Sequence, residues 1–261
     1  TMGGYSIDGV AGSGARFDLN FLNEISGINA VIFMGELGTM GGLALADVIS
    51  GKQTPSGKLT DTWAKHYRDL PFADEYSYLN GNLDEEYYRE GIYVGYKYYE
   101  TASDDGVINY EDVVKYPFGY GLSYTTFEQK MNDFSDNGDN VTFNVTVTNT
   151  GDVAGKDVVE VYFTPPYTNG GIEKASVNLI DYAKTGEIAP GESETVEFTI
   201  NKEDMASYDA NEIKVAGGGY ILEAGEYTVS VRSDSHTVLD QATFTVDSDI
   251  NYSESARTTD N

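Results

Sequence analysis

The clearest pattern along the chain is a two-residue alternation beginning at Val141. Val141, Phe143, Val145 and Val147 are interleaved with Thr142, Asn144, Thr146 and Thr148. Successive side chains of a strand point to opposite faces, so this stretch predicts a strand with one face in a core and the other in water. Comparable runs occupy residues 158–163, 179–184, 195–200, 227–232 and 243–246, separated by the turn residues Asn149-Thr150-Gly151, Pro190-Gly191-Glu192 and Glu223-Ala224-Gly225. About seven strands in about 120 residues predict an immunoglobulin-like sandwich.

The first half follows a different rhythm. Leu19, Leu22 and Ile25 stand at helical spacing within 17–26, with Gly27 placed to end the helix. Residues 30–34 (AVIFM) are continuously apolar, as in a strand covered on both faces. Residues 41–49 predict a helix with Leu45, Val48 and Ile49 on one side, stopped near Gly51, and 58–63 predict the next strand. Helix, buried strand, helix, strand is the order of an α/β layer with a mainly parallel sheet. Residues 64–89 form a polar, tyrosine-rich connector that reads either as a lid beside a sugar site or as cover for a core edge. Residues 92–100 alternate like a strand, and 116–125 link to the sandwich.

Composition narrows the partners. The chain has 261 residues and a net charge of −27, a field that repels phosphate backbones and anionic lipid. Neither nucleic acid nor a membrane surface is therefore an expected partner, and no apolar run approaches the roughly 20 residues of a membrane-spanning helix. With no cysteine, disulfides, zinc-thiolate sites and thiol nucleophiles are excluded. Residues 133–138 (DFSDNG) resemble the start of a calcium loop, but the twelfth position is Asn144, where a bidentate Glu is needed. No cofactor is implied. His66 and His236 have no partner at metal-ligand spacing, and no nucleophile elbow is present. Thr1 opens directly into a loop with glycines at 3, 4, 9, 12 and 14, which reads as a flexible or ligand-facing turn in a piece of a longer protein. The compartment, bacterial-type cytoplasmic or secreted, and any homo-oligomer stay open.

Several long motifs in fixed order carry a family resemblance. They are 41–48 (GGLALADV) with Gly51, Pro55-Ser56-Gly57-Lys58-Leu59 and Thr62; 90–99 (EGIYVGYKYY); and 116–125 (YPFGYGLSYT). These resemble the closing segment of the α/β sandwich domain of glycoside hydrolase family 3. Asn149-Thr150-Gly151 with Ala154-Gly155 and Tyr162, Pro190-Gly191-Glu192-Ser193 and Ala224-Gly225-Glu226-Tyr227 resemble the fibronectin type III-like domain that follows it. The implied class is α/β plus all-β: the C-terminal portion of the α/β sandwich with linker over 1–125, an immunoglobulin/fibronectin III-like β-sandwich over 126–248, and a linker or tail over 249–261. Residues 255–261 resemble the linker that leads into the barrel in members with permuted domain order.

The resemblance implies a β-glucosidase-like enzyme acting on a glucoside or oligosaccharide, whose nucleophilic Asp lies in a catalytic barrel this segment lacks. A retaining glycosidase needs two carboxylates about 5 Å apart. The family's acid/base Glu often precedes the Arg that Arg16 matches, yet the loop 1–14 offers only Asp8, so no catalytic residue is assigned. Glu36, just beyond a strand end where α/β sheets place ligands, is the candidate substrate-side carboxylate, although the turn at Glu36, Leu37, Thr39 and Met40 departs from the family's pattern. Arg16 and Asp18, at a helix start, would orient a catalytic loop or serve as helix-terminal charges. A noncatalytic carbohydrate-binding or scaffold role is the alternative.

Overall fold

The computed structural model describes residues 26–35, 38–75, 81, 84–85 and 87–252. In chain order the first part contains α1 (Gly41–Ile49), β1 (Trp63–Ala64), α2 (Tyr96–Asp104), α3 (Tyr110–Val113) and β2 (Val114–Tyr116). Two short 3-10 helices, Tyr67–Asp69 and Ala73–Glu75, lie between β1 and α2. The second part contains β3 (Phe127–Asp136), β4 (Asn140–Asn149), β5 (Val158–Thr164), β6 (Asn178–Lys184), β7 (Ser193–Asn201), β8 (Ser207–Tyr208), β9 (Tyr220–Leu222), β10 (Gly225–Arg232), β11 (Val238–Val246) and β12 (Ile250–Asn251).

Seven of these strands build the expected sandwich: β3-β4-β7 in one sheet and β11-β10-β5-β6 in the other. Burial along β4 alternates at every residue, so Val141, Phe143, Val145 and Val147 face inward as the sequence pattern requires. They meet Val159, Val161 and Phe163 of β5, Val229 and Val231 of β10 and Phe198 of β7 in one apolar core. Phe143 and Phe198 stack with centroids 5.2 Å apart. The residues read as the start of a calcium loop belong to the β3–β4 hairpin, where Asn144 Nδ2 donates to Asp133 Oδ2 at 2.9 Å. A small sheet, β12-β9-β8, stands beside the sandwich.

β5 departs from the alternation in an informative way. Its residues 159–163 are all buried. Val159, Val161 and Phe163 join the core. Glu160 and Tyr162 point the other way and are buried because the α/β part lies over them.

The α/β part followed by a β-sandwich is thus the observed class, with several local differences from expectation. The helix at 41–49 forms with the expected bounds and ends before Gly51 at φ +75°. Residues 30–34, expected as a buried strand, are exposed and irregular, Val31 at 56 %. A strand requires a neighbour to take its hydrogen bonds, and among the described residues no strand pairs with this run. All strand pairings among the described residues are antiparallel, including β1 with β2. Residues 58–62 run beside 119–120 rather than in a regular strand, with Leu59 N–H donating to the Tyr120 carbonyl and Gly119 N–H to the Leu59 carbonyl.

Residues 92–100, expected as a strand, instead turn at Gly95 (φ +59°) into α2. Tyr96, Tyr99, Glu100 and Ser103 lie at helical spacing, and Tyr99, Glu100 and Ala102 are buried. Of the helix expected at 17–26, residues 17–25 lie outside the described residues, and Ser26 stands in a turn. No helix among the described residues is long and apolar enough to cross a membrane.

Candidate functional site

Arg16, Asp18 and Glu36 all lie outside the described residues, as does Asp8. The neighbourhood of Glu36 is visible from one side. Gly35 adopts φ +60°, and Phe33 meets Trp63 edge-on at 5.2 Å. Trp63 meets Tyr116 at 5.9 Å, and Tyr116 meets Tyr120 at 5.0 Å. This file of rings ties the run before Glu36 to the 116–125 motif, and Phe33 keeps a half-exposed face beside Gly35.

The connector contributes cover. Leu70 packs on Ala64, Tyr99, Tyr110 and Val114. The Asp69 carboxylate accepts the His66 backbone N–H, and its carbonyl accepts the Tyr99 hydroxyl. An open depression of about 380 Å³ lies here, lined by residues including Arg68, Asp69, Phe72 and Tyr98. Phe72 holds φ +55°, a left-handed conformation uncommon for a non-glycine residue. The described part of the connector covers a core edge; residues 76–80, 82–83 and 86, where a lid would be sought, lie outside the described residues.

The densest chemistry lies in the seam between the two parts. The 116–125 motif runs through it as a strap. Gly121 approaches the Pro55-Ser56-Gly57 turn so closely that a Cβ there would stand 2.3 Å from the Gly57 carbonyl oxygen. Ser123 Oγ donates to the Pro55 carbonyl and Tyr124 Oη to the Val48 carbonyl. Direct bonds then cross to the sandwich: Thr54 Oγ1 to the Ala154 carbonyl, Lys58 Nζ to the Ser233 carbonyl, and Lys184 Nζ back to the Ser56 carbonyl. Ser235 N–H donates to the Phe118 carbonyl, and Tyr96 Oη accepts the Leu179 N–H.

Two buried glutamates sit in this seam, each 4 % exposed. Glu100 of α2 accepts Ser235 Oγ at 2.9 Å and faces His236 Nδ1 at 2.8 Å. The His236 ring lies flat on Tyr110, centroids 3.7 Å apart. The Glu100 hydrogen bond holds the His236 pKa above its ordinary value against the opposing effect of burial. Glu160 of β5 accepts Tyr162 Oη at 2.6 Å and presses against Gly119, where a Cβ would lie 2.3 Å from Oε2. Burial pushes the Glu160 carboxyl up to about 7, although the Tyr162 hydrogen bond and the Lys58 charge pull it down. Such a value suits a general acid, but Glu160 is sealed beneath Gly119 and Glu100 is enclosed by its partners. Both carboxylates therefore act on the seam and not on a substrate. They were not singled out from sequence, although an acid inside the apolar run 158–163 is a readable signal, because a buried charge requires a partner or a proton.

Comparison with known proteins agrees with this two-part arrangement. The glycosyl hydrolase family 3 C-terminal domain matches residues 10–96, and a fibronectin type III-like domain matches residues 157–235. Beta-glucosidase A of Butyrivibrio fibrisolvens is 38% identical over 237 residues, covering 85% of this chain and 27% of the relative. An exo-alpha-(1->6)-L-arabinopyranosidase of Bifidobacterium breve is 34% identical over 214 residues, covering 82% of this chain and 26% of the relative. Among solved structures, beta-glucosidase 3B from Thermotoga neapolitana in complex with glucose superposes with a TM-score of 0.71 at 37% identity, covering 82% of this chain and 28% of that one. The chain spans about a quarter of the length of the curated relatives it matches.

Proposed function

We propose that this chain, a glycoside hydrolase family 3 segment in which the family's C-terminal domain is followed by a fibronectin type III-like domain, supplies one wall of a β-glucosidase-like active site and the brace that holds it. In this reading residues 1–125 form the wall, 126–248 the brace and 249–261 a linker or tail. Glu36, with Arg16 and Asp18, contributes to the substrate side. The nucleophile and its barrel belong to the remainder of the longer protein, and the substrate is a β-glucoside or a related oligosaccharide.

The observation that carries the reading is 38% identity to a beta-glucosidase over 237 residues that include both parts and the seam between them. A carbohydrate-binding module would need only one part. The relative that acts on an arabinopyranoside makes sugar identity a matter for a substrate panel.

The test has two arms. The 261-residue chain alone should not hydrolyse an aryl β-glucoside, and turnover by it would sink the claim that the nucleophile lies elsewhere. Grafted in place of the matching segment of the Butyrivibrio relative, it should restore hydrolysis, and Glu36→Gln in that chimera should raise KM. A well-folded chimera whose KM ignores Glu36→Gln removes Glu36 from the site. Tight binding of cello-oligosaccharides by the chain alone would favour the noncatalytic alternative.

A further inference from the structure

We propose that the seam between the α/β part and the β-sandwich is a pH-operated latch, closed while His236 and Glu160 carry their protons and loosened when both have lost them. Both groups belong to the sandwich, and both are aimed across the seam. His236, in the β10–β11 turn, reaches Glu100 of α2 and lies on Tyr110 of α3. Glu160, on β5, ends against Gly119 of the strap. The inference concerns the seam alone and does not depend on the glycosidase reading.

The charges around each group set the direction. His236 faces Glu100, Tyr110 and Glu111 from the α/β part and Asp234 from its own turn. Arg232 stands close by, its Nη1 donating to the Ser235 carbonyl and its charge felt by Glu100 and Asp104. Glu160 faces Lys58 and Tyr96 from the α/β part, with Tyr162, Asp157 and Asp234 around it on the sandwich side. Lys58 is held to the Ser233 carbonyl at 2.9 Å, so a single fixed cation answers Glu160 from across the seam.

At mildly acid pH, His236 is cationic and neutralises Glu100, while Glu160 is neutral under Gly119. As pH rises, His236 loses its charge and leaves Glu100 with a weaker partner. Glu160 meanwhile acquires a negative charge where water cannot reach it. Both steps add negative charge to the seam in a molecule of net charge −27; burial makes the Glu160 step costly, while the half-exposed His236 acts by withdrawing its charge from the buried Glu100.

The linkage has one sign for both groups. Each binds its proton more tightly in the closed seam than in water: His236 lies above 6.5, and Glu160 lies at about 7 against 4.5. Closing therefore takes up protons. The Glu160 contribution fades between pH 4.5 and about 7, and the His236 contribution fades from 6.5 through its raised value.

Hydrogen exchange on the full chain reads the latch directly. The Ser235 amide is bonded across the seam to the strap, and the Leu59 and Gly119 amides join the strap to residues 58–62 directly beside it, whereas the β4 amides report the sandwich core. Between about pH 5.5 and about pH 8.5, after correction for intrinsic exchange, seam protection should fall roughly tenfold or more while β4 protection holds. Equal loss at both places, or none at the seam, overturns the latch. Glu160→Gln retains the volume and an acceptor for Tyr162, and it should abolish most of the seam's pH response. Should that variant not fold, carbon and proton chemical-shift titrations of the unmodified chain decide: a His236 value at or below 6.5, or a Glu160 value at or below 4.5, removes the device.

Discussion

Gly119 sits at φ +83° with the Glu160 carboxylate so near that a Cβ would lie 2.3 Å from Oε2. Alanine there has two costs: a left-handed backbone that L side chains resist, and displacement of a buried carboxylate already bonded to Tyr162. Gly119→Ala should lower stability by about 3 kcal/mol in urea unfolding, of which about 1 kcal/mol is the backbone conformation. Gly138 isolates that smaller part, since it holds φ +80° with nothing within 4 Å of its would-be Cβ; Gly138→Ala should cost only about 1 kcal/mol. Equal effects at the two positions would mean that Glu160 swings aside freely and the seam is looser than its geometry implies. The sequence displays Gly119 within a recognisable motif, but not its partner. A contact between distant positions in the chain leaves no periodic trace, so the seam that gives this glycine its purpose appears only in three dimensions. His236 is a parallel case: Glu100, far earlier in the chain, explains its place.

At the scale of elements, legibility followed the number of faces each element exposes to water. β4 and β7 have one wet face, and their alternation marked them directly; Phe198 is buried while neighbouring Thr199 is exposed. Removing the inward ring by Phe198→Ala deletes its stack on Phe143 and leaves a cavity, at a cost of about 3–5 kcal/mol. The outward Thr199→Ala should change stability by less than about 0.5 kcal/mol. Thermal or urea unfolding of the pair checks the register of the strand, because a one-residue slip would exchange the two effects. α2 was harder to read. Its lead-in, Ile92-Tyr93-Val94, has strand-forming residues, and Gly95 resets the backbone before the helical face of Tyr96, Tyr99 and Glu100 begins. The run 30–34 shows the opposite limit. Its apolar character predicts a covered strand, but the strand can form only where neighbouring strands are present, and among the described residues none pairs with it.

For the whole molecule the dominant imbalance is charge: 43 acidic residues stand against 16 Lys and Arg. Full pairing is therefore arithmetically excluded, and most carboxylates raise the energy of the compact state by repelling one another. Some cations are concentrated where they bridge segments. Lys174 pairs with Glu223, and Lys214 holds both Glu223 and Asp249 at 2.8 Å, joining the loop after β5 to the end of β11. Lys174 is almost fully buried, so salt screens its pair weakly, whereas the surplus carboxylates on the surface are screened strongly. Added salt should consequently stabilise this chain, the reverse of its effect on a protein held by surface ion pairs. Raising sodium chloride from about 10 mM to about 500 mM shortens the screening length from about 30 Å to a few ångström. At a pH near 7 that should add about 2 kcal/mol, seen in calorimetry as a rise in Tm of roughly 5 °C. A fall in Tm would show that exposed ion pairs outweigh the general repulsion. The seam supplies an internal comparison, because Glu160 is enclosed and its effect on stability should depend on pH far more than on salt.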